Sequence, residues 1–268
     1  MTEREPLILA LDTSTAALAA ALVRGSEPLA EVRSLAERNH SVYIVPKLQE
    51  LLTQTGLTPE NLDAIAVGQG PGSYTGMRIA VTVAKTLAWT WDKPVVGISS
   101  LEGLAYGASK NDAGARGTTT WYIPIMDARR GQVYTSAFVR TPDGAWTRQA
   151  EDGIRLMKEW VDELAGKIGG APDTPERIVF TGDLSLHEAE AHRLGSESTP
   201  DRLMMMPFLM EGRWIAELGR MKLMQGLADE VHALVPNYTQ LAEAEAKLQA
   251  KSRGGMTEDG RNDEAAYR

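Results

Sequence analysis

No cysteine occurs among the 268 residues. That excludes disulfides, thiolate metal ligands and a cysteine nucleophile. Histidine is nearly as scarce, with only His40, His187, His192 and His232. A helical two-histidine metal site needs i, i+4 spacing so that both rings share a face. His187 and His192 miss that spacing by one residue and turn apart on a helix, so no metal site is expected. No Ser–His–Asp ordering and no carboxylate pair stands out either. Positive charge is short: 28 Lys and Arg stand against 36 Asp and Glu, for a net charge of −8. An acidic chain is a poor autonomous nucleic-acid binder, because phosphate contacts need clustered Lys and Arg, so any RNA is expected to be gripped by a partner. Long apolar runs are also missing. The longest early run, residues 16–23, is far shorter than the ~20 residues of a membrane span, and no signal-peptide pattern precedes it. Cytoplasmic residence without membrane association is the expectation.

What is present is ordinary in bulk and specific in detail. Hydrophobic residues make up 43% and charged residues 24%, as in a soluble globular protein with one large or two medium domains. The most informative stretch is 63–91, DAIAVGQGPGSYTGMRIAVTVAKTLAWTW. A short apolar strand, 63–67, is broken by Gly68, Gly70, Pro71, Gly72 and Gly76. From Thr75, Met77, Ala80, Val83, Ala84, Leu87 and Ala88 recur at the helical period. A glycine loop opening onto a helix N-terminus suits a phosphate. The two common phosphate fingerprints fail, however. Met77 stands where a P-loop needs lysine, and in G-x-G-x-x-G the third glycine falls on Ser73 or Thr75, one residue short of Gly76 in the second case. A tight strand-to-helix turn explains the glycines equally well.

The chain then repeats its own plan. Strands at 7–11, 18–24 and 29–35, a helix over 39–54, the strand 63–67, the glycine loop, a helix to Trp91 and a strand at 94–98 make the first unit. Strands at 121–126, 132–140 and 145–150, a helix over 155–167 and a strand at 177–180 start the second. Asp12 and Asp127 end the first strand of each. The pattern predicts two α/β lobes, each βββαβα, facing a cleft. The N-terminal lobe takes 1–109, a polar connection 110–120 and the C-terminal lobe 121–249. Residues 184–235 read as mostly helical, the Met204–Met206 run as buried loop packing, and 250–268 as a polar tail expected to be disordered.

LALDTST (9–15), NHSVYIVPKLQELL (39–52), GQGPGSYTGMRIA (68–80), AKTLAW (84–89), ISSLEGLA (98–105), IMDARRGQVY (125–134) and VPNYTQLAEAE (235–245) together resemble the TsaB (YeaZ) family. The resemblance is close over the first 135 residues, weak from about 140 to 230, and returns near the end. It implies the actin–hexokinase–chaperone (ASKHA) fold, built from two tandem ribonuclease H-like lobes. It also implies the role of a non-catalytic subunit of a tRNA-modifying complex. The catalytic paralogue TsaD transfers a threonylcarbamoyl group to the adenosine next to the anticodon, and the ATPase TsaE joins the assembly. ATP and a metal ion are then expected in those partners, with no cofactor held by this chain, and tRNA is met only through the complex. A homodimer in the partner's absence is the alternative pairing.

Two surfaces remain to be weighed. Asp12, Thr13 and Ser14, with Gly70, Gly72, Ser73 and Gly76, read as a phosphate-loop remnant. Kept active, they would make an ATP-dependent small-molecule kinase or ATPase. The competing reading is a turn in which Asp12 and Ser14 cap neighbouring N–H groups. Asp127 with Arg129 and Arg130 reads as a hairpin turn with solvated arginines. The helices over 39–54 and 75–91 carry more apolar surface than one sheet face requires. Tyr43, Ile44, Val45, Leu48, Leu52, Ile79, Val83 and Leu87 are the expected partner interface, with Val42, Val45, Leu48, Leu51 and Leu52 as the main stripe of the first helix. On this reading Leu48→Glu or Leu52→Glu weakens pairing.

Overall fold

The computed structural model describes residues 4–35, 40–170, 174–198 and 202–239. Strands β1 (Leu7–Asp12), β2 (Leu18–Arg24) and β3 (Glu27–Ser34) lead through helix α1 (His40–Thr55) to β4 (Ala64–Gly68). Helix α2 (Tyr74–Trp91), strand β5 (Val95–Ile98) and helix α3 (Ser100–Asn111) complete the first unit. The second repeats the order: β6 (Thr120–Asp127), β7 (Gln132–Arg140), β8 (Trp146–Leu156), α4 (Met157–Gly169), β9 (Arg177–Gly182), α5 (Glu188–Ser198), β10 (Leu203–Pro207) and α6 (Gly212–Met224).

The two sheets have the same topology. One runs β3-β2-β1-β4-β5 and the other β8-β7-β6-β9-β10. In each, three strands form an antiparallel meander, and the fourth and fifth add in parallel beside the first. β1 and β4 are buried along their whole length, as expected of continuous apolar runs covered on both faces. This is the duplicated ribonuclease H-like architecture of the ASKHA fold.

Each unit ends in a helix that leaves its own sheet. α3 packs on β6, β7 and β9 of the second sheet, and α6 packs on β1, β2 and β4 of the first. The packing is close: a side chain on Gly212 of α6 would strike the backbone of Ala20 and Ala21 in β2, and one on Gly103 of α3 would strike Ile215 of α6. Helix α6, Asp229 and Leu234, late in the chain, thus lie against the first sheet. Leu234 is buried in the same core as Leu9, Val67 and Ala84.

Three elements differ from the expectation. The methionine run 204–206 is strand β10, pairing in parallel with β9, and residues 203–206 are partly exposed. β8 continues through the charged residues Glu151 and Asp152 to Leu156, so the next helix starts at Met157. α3 had no counterpart in the sequence reading. The expected tail, 250–268, lies outside the described residues, as does the side chain of His40.

Candidate functional site

β1 and β4 are parallel neighbours with Leu11 opposite Val67, which places Asp12 beside the glycine loop. The Asp12 carboxylate is fully buried. Its Oδ1 accepts the Ser14 N–H at 2.6 Å and the Ser14 hydroxyl at 2.7 Å, and its Oδ2 accepts the Ser100 hydroxyl at 2.6 Å. A buried carboxylate is tolerated only when its lone pairs are met in this way. Ser100 is the residue that sequence reasoning missed here. Its only sequence signal was Ser99-Ser100 at the start of α3, where Ser99 caps the helix by accepting the Glu102 N–H.

The loop amides are equally engaged. Gly70 donates to Ser100 Oγ, Ser73 to the Ser14 carbonyl, Gly76 to Ser73 Oγ, and Met77 to the Ser73 carbonyl. Thr13 Oγ1 donates to the Gly76 carbonyl at 2.7 Å. The glycines serve close approach: a Cβ on Gly68 would overlap the Asp12 carboxylate, one on Gly72 the Ser14 carbonyl, and one on Gly76 the Thr13 carbonyl. All seven residues named for a phosphate-loop remnant thus come together, and they hold one another. The N–H groups of Gly70, Ser73, Gly76 and Met77 are thus spent on the protein itself.

In the second unit, Asp127 occupies the place of Asp12 but is closed differently. Its Oδ1 accepts the Arg129 N–H at 3.2 Å and lies 3.0 Å from Nε2 of the buried His187. Arg129, Arg130 and Gly131 have φ of 67°, 53° and 73°, so the hairpin turns through the left-handed region with both arginines in solvent. His192 faces Glu188 on α5, away from His187. Among the described residues, no three His, Asp or Glu side chains converge as a metal-holding group.

The two helices behave differently from the expectation. On α1, Ile44, Leu48, Leu51 and Leu52 are buried in the first core, while Val42, Tyr43 and Val45 are exposed by 63%, 44% and 50%. The core stripe is therefore 44-48-51-52, not one led by Val42 and Val45. Ile44, Leu48 and Leu52 cannot meet a partner, and Leu48→Glu or Leu52→Glu would test the fold instead of pairing. On α2, Ile79, Val83 and Leu87 are half-buried against the same core, and Trp89 is exposed by 70%. Ser41, Tyr74, Arg78, Ile79 and Val83 line a groove of about 440 Å³ along α2 where α1 begins. The exposed or part-exposed apolar side chains on the two helices are Val42, Tyr43, Val45, Ile79, Val83, Leu87 and Trp89.

Comparison with known proteins places this geometry. The family model described as tRNA N6-adenosine threonylcarbamoyltransferase (TsaD) matches residues 32–179. The chain is 40% identical over 243 residues to the tRNA threonylcarbamoyladenosine biosynthesis protein TsaB of Bacillus subtilis, covering 90% of this chain and 96% of that relative. It is 34% identical to the protein of the same name from Escherichia coli, over 61% of this chain and 68% of the relative. Among solved structures, YeaZ from Pseudomonas aeruginosa superposes with a TM-score of 0.68 at 23% identity, covering 87% of this chain and 99% of that one. No helix among the described residues is long and apolar enough to cross a membrane.

Proposed function

The chain belongs to the family of the tRNA threonylcarbamoyladenosine biosynthesis protein TsaB, and on that footing we propose that it acts as the non-catalytic, dimerising subunit of the modification complex. It pairs with the catalytic paralogue TsaD, with the ATPase TsaE joining, so that threonylcarbamoyladenosine forms at the adenosine next to the tRNA anticodon. One observation carries this reading. Large apolar side chains stand exposed on α1 (Val42, Tyr43, Val45) and on α2 (Trp89), while at the strand ends Asp12 is closed by Ser14 and Ser100, and Ser100 also takes the Gly70 N–H. Burying Val42, Tyr43 and Val45 contributes on the order of 1.5–3 kcal/mol per large side chain, and Tyr and Trp are frequent interface anchors. With no paralogue present, the same face is the one available to a second copy.

Nucleotide and metal chemistry then belong to the partner subunits, and tRNA is reached through the complex. Titrating the free chain with magnesium ATP is expected to give a Kd weaker than about 1 mM, equivalent to about 4 kcal/mol of binding. Submicromolar binding abolished by Gly72→Ala would favour the kinase reading instead. The direct test is co-purification with the paralogue. The expected result is a stable pair that forms without nucleotide, together with no ATP turnover by this chain alone. Failure to pair, or turnover in isolation, overturns the proposal.

A further inference from the structure

Residues 229–238 leave α6 and cross three parts of the molecule. Asp229 bonds to the edge strand β5, its N–H reaching the Val95 carbonyl and its carboxylate accepting the Gly97 N–H at 2.7 Å. Lys85 of α2 donates to the carbonyls of His232 and Leu234. Asn237 then turns both its groups to fixed partners. Its backbone N–H meets the Gln69 carbonyl at 2.7 Å, and its side-chain amide reaches Asp152 Oδ2 on β8, in the other unit, at 3.2 Å. The next residue, Tyr238, lies on α2: its ring is 5.4 Å from that of Tyr74, and its hydroxyl accepts from Arg78 Nε at 2.9 Å. The Arg78 guanidinium in turn covers the Tyr74 ring at 4.0 Å.

Asp152 is a firm anchor. It lies next to Arg148, which Glu102 also binds. Burial works against the Arg148 charge, yet Asp152 and Glu102 more than offset it and hold the guanidinium above its ordinary pKa. The Asn237 amide goes to the second unit, and the Tyr238 ring goes to Tyr74 and Arg78 at the groove along α2. Tyr74 and Tyr238 are both more than a third exposed. Aromatic and arginine side chains fixed before docking spare a partner the ordering cost.

We propose that residues 229–238 form a brace that extends the docking face. Tyr238 completes it beside Tyr74 and Arg78, and Asn237, held by Asp152, is the positioning residue that ties the face to the second unit. This rests on the reading of α1 and α2 as the paralogue's docking surface. The two sites are then coupled, and loosening either loosens the other.

The test uses the full chain titrated with the catalytic paralogue, beside melting curves and amide exchange. Asn237→Ala should weaken binding roughly fivefold, the low end of usual coupling between sites, and should speed exchange at residues 74–79 while leaving β1 and β4 protected. Asp152→Ala should weaken binding similarly from the far side. Combining Asn237→Ala with Tyr238→Ala should cost no more than Tyr238→Ala alone. Unchanged binding or unchanged exchange at 74–79 in Asn237→Ala, while Val45→Glu still loses the paralogue, overturns the brace and leaves the docking reading standing. Full binding by Val45→Glu removes the docking reading, and the brace with it.

Discussion

Gly76→Ala is expected to lower the melting temperature by about 6–10 °C, corresponding to about 3 kcal/mol for overpacking a rigid site. The new methyl would meet the Thr13 carbonyl, which is backbone and fixed by the Ser73 and Gly76 hydrogen bonds around it. Relief requires the turn 12–15 to separate from the loop, which strips Ser73 N–H of its acceptor and loosens the Asp12–Ser14–Ser100 cluster. Gly166 in α4 is the control. A methyl there meets nothing within 4 Å, and alanine in a helix interior stabilises by roughly 0.5–1 kcal/mol over glycine. Thermal denaturation of the two variants separates a packing glycine from a ligand glycine. A Gly76→Ala protein that melts like the parent would mean the loop is open and built for something else.

The second large effect lies on the docking face. Tyr43→Glu combined with Val45→Glu should weaken binding to the catalytic paralogue by at least about 30-fold, equivalent to the roughly 2 kcal/mol of a hot spot. Melting should stay within about 2 °C, because both side chains already stand in water and surface changes cost little. Leu48→Glu makes the contrast. Leu48 is only 2% exposed, so its glutamate would be a buried, unpaired charge and the chain should lose its cooperative transition. Calorimetric titration beside melting distinguishes the two. If the double variant unfolds, Tyr43 and Val45 are core. If it binds as before, the partner sits elsewhere.

The sheets were legible because their sequences speak locally. β1 and β4 are unbroken apolar runs ending in Asp12 and in the glycine loop, and Thr75–Trp91 holds a 3.6 period with one missing turn residue, Ser73, acting as its cap. The duplication was readable from the order of such pieces. The phase of α1 was not. VYIV at 42–45 is apolar on all sides, so periodicity alone could not say whether Ile44 or Val45 faces the sheet. β10 was hidden because three methionines carry no β-branched signal and the strand forms only by pairing with β9. The exchange of α3 and α6 rests on packing such as Gly212 against Ala20, and the brace on Arg78–Tyr238 and Asn237–Asp152, partners 160 and 85 positions apart, which no local pattern encodes. In the candidate site Asp12, Thr13, Ser14 and the loop glycines could be grouped because each flanks the end of a strand that the sequence marks plainly. What the sequence could not reveal was that Ser100, from the start of α3, would complete the Asp12 cluster.

The most direct measurement is the yield of threonylcarbamoyladenosine when tRNA, ATP and an activated threonylcarbamoyl donor are given to purified paralogue and ATPase together with this chain, with its Tyr43→Glu/Val45→Glu form, or with no third protein. The expected outcome is robust product with the unaltered chain and little more than background in the other two reactions. Full yield from the double variant, or product made by this chain with the paralogue left out, would contradict it.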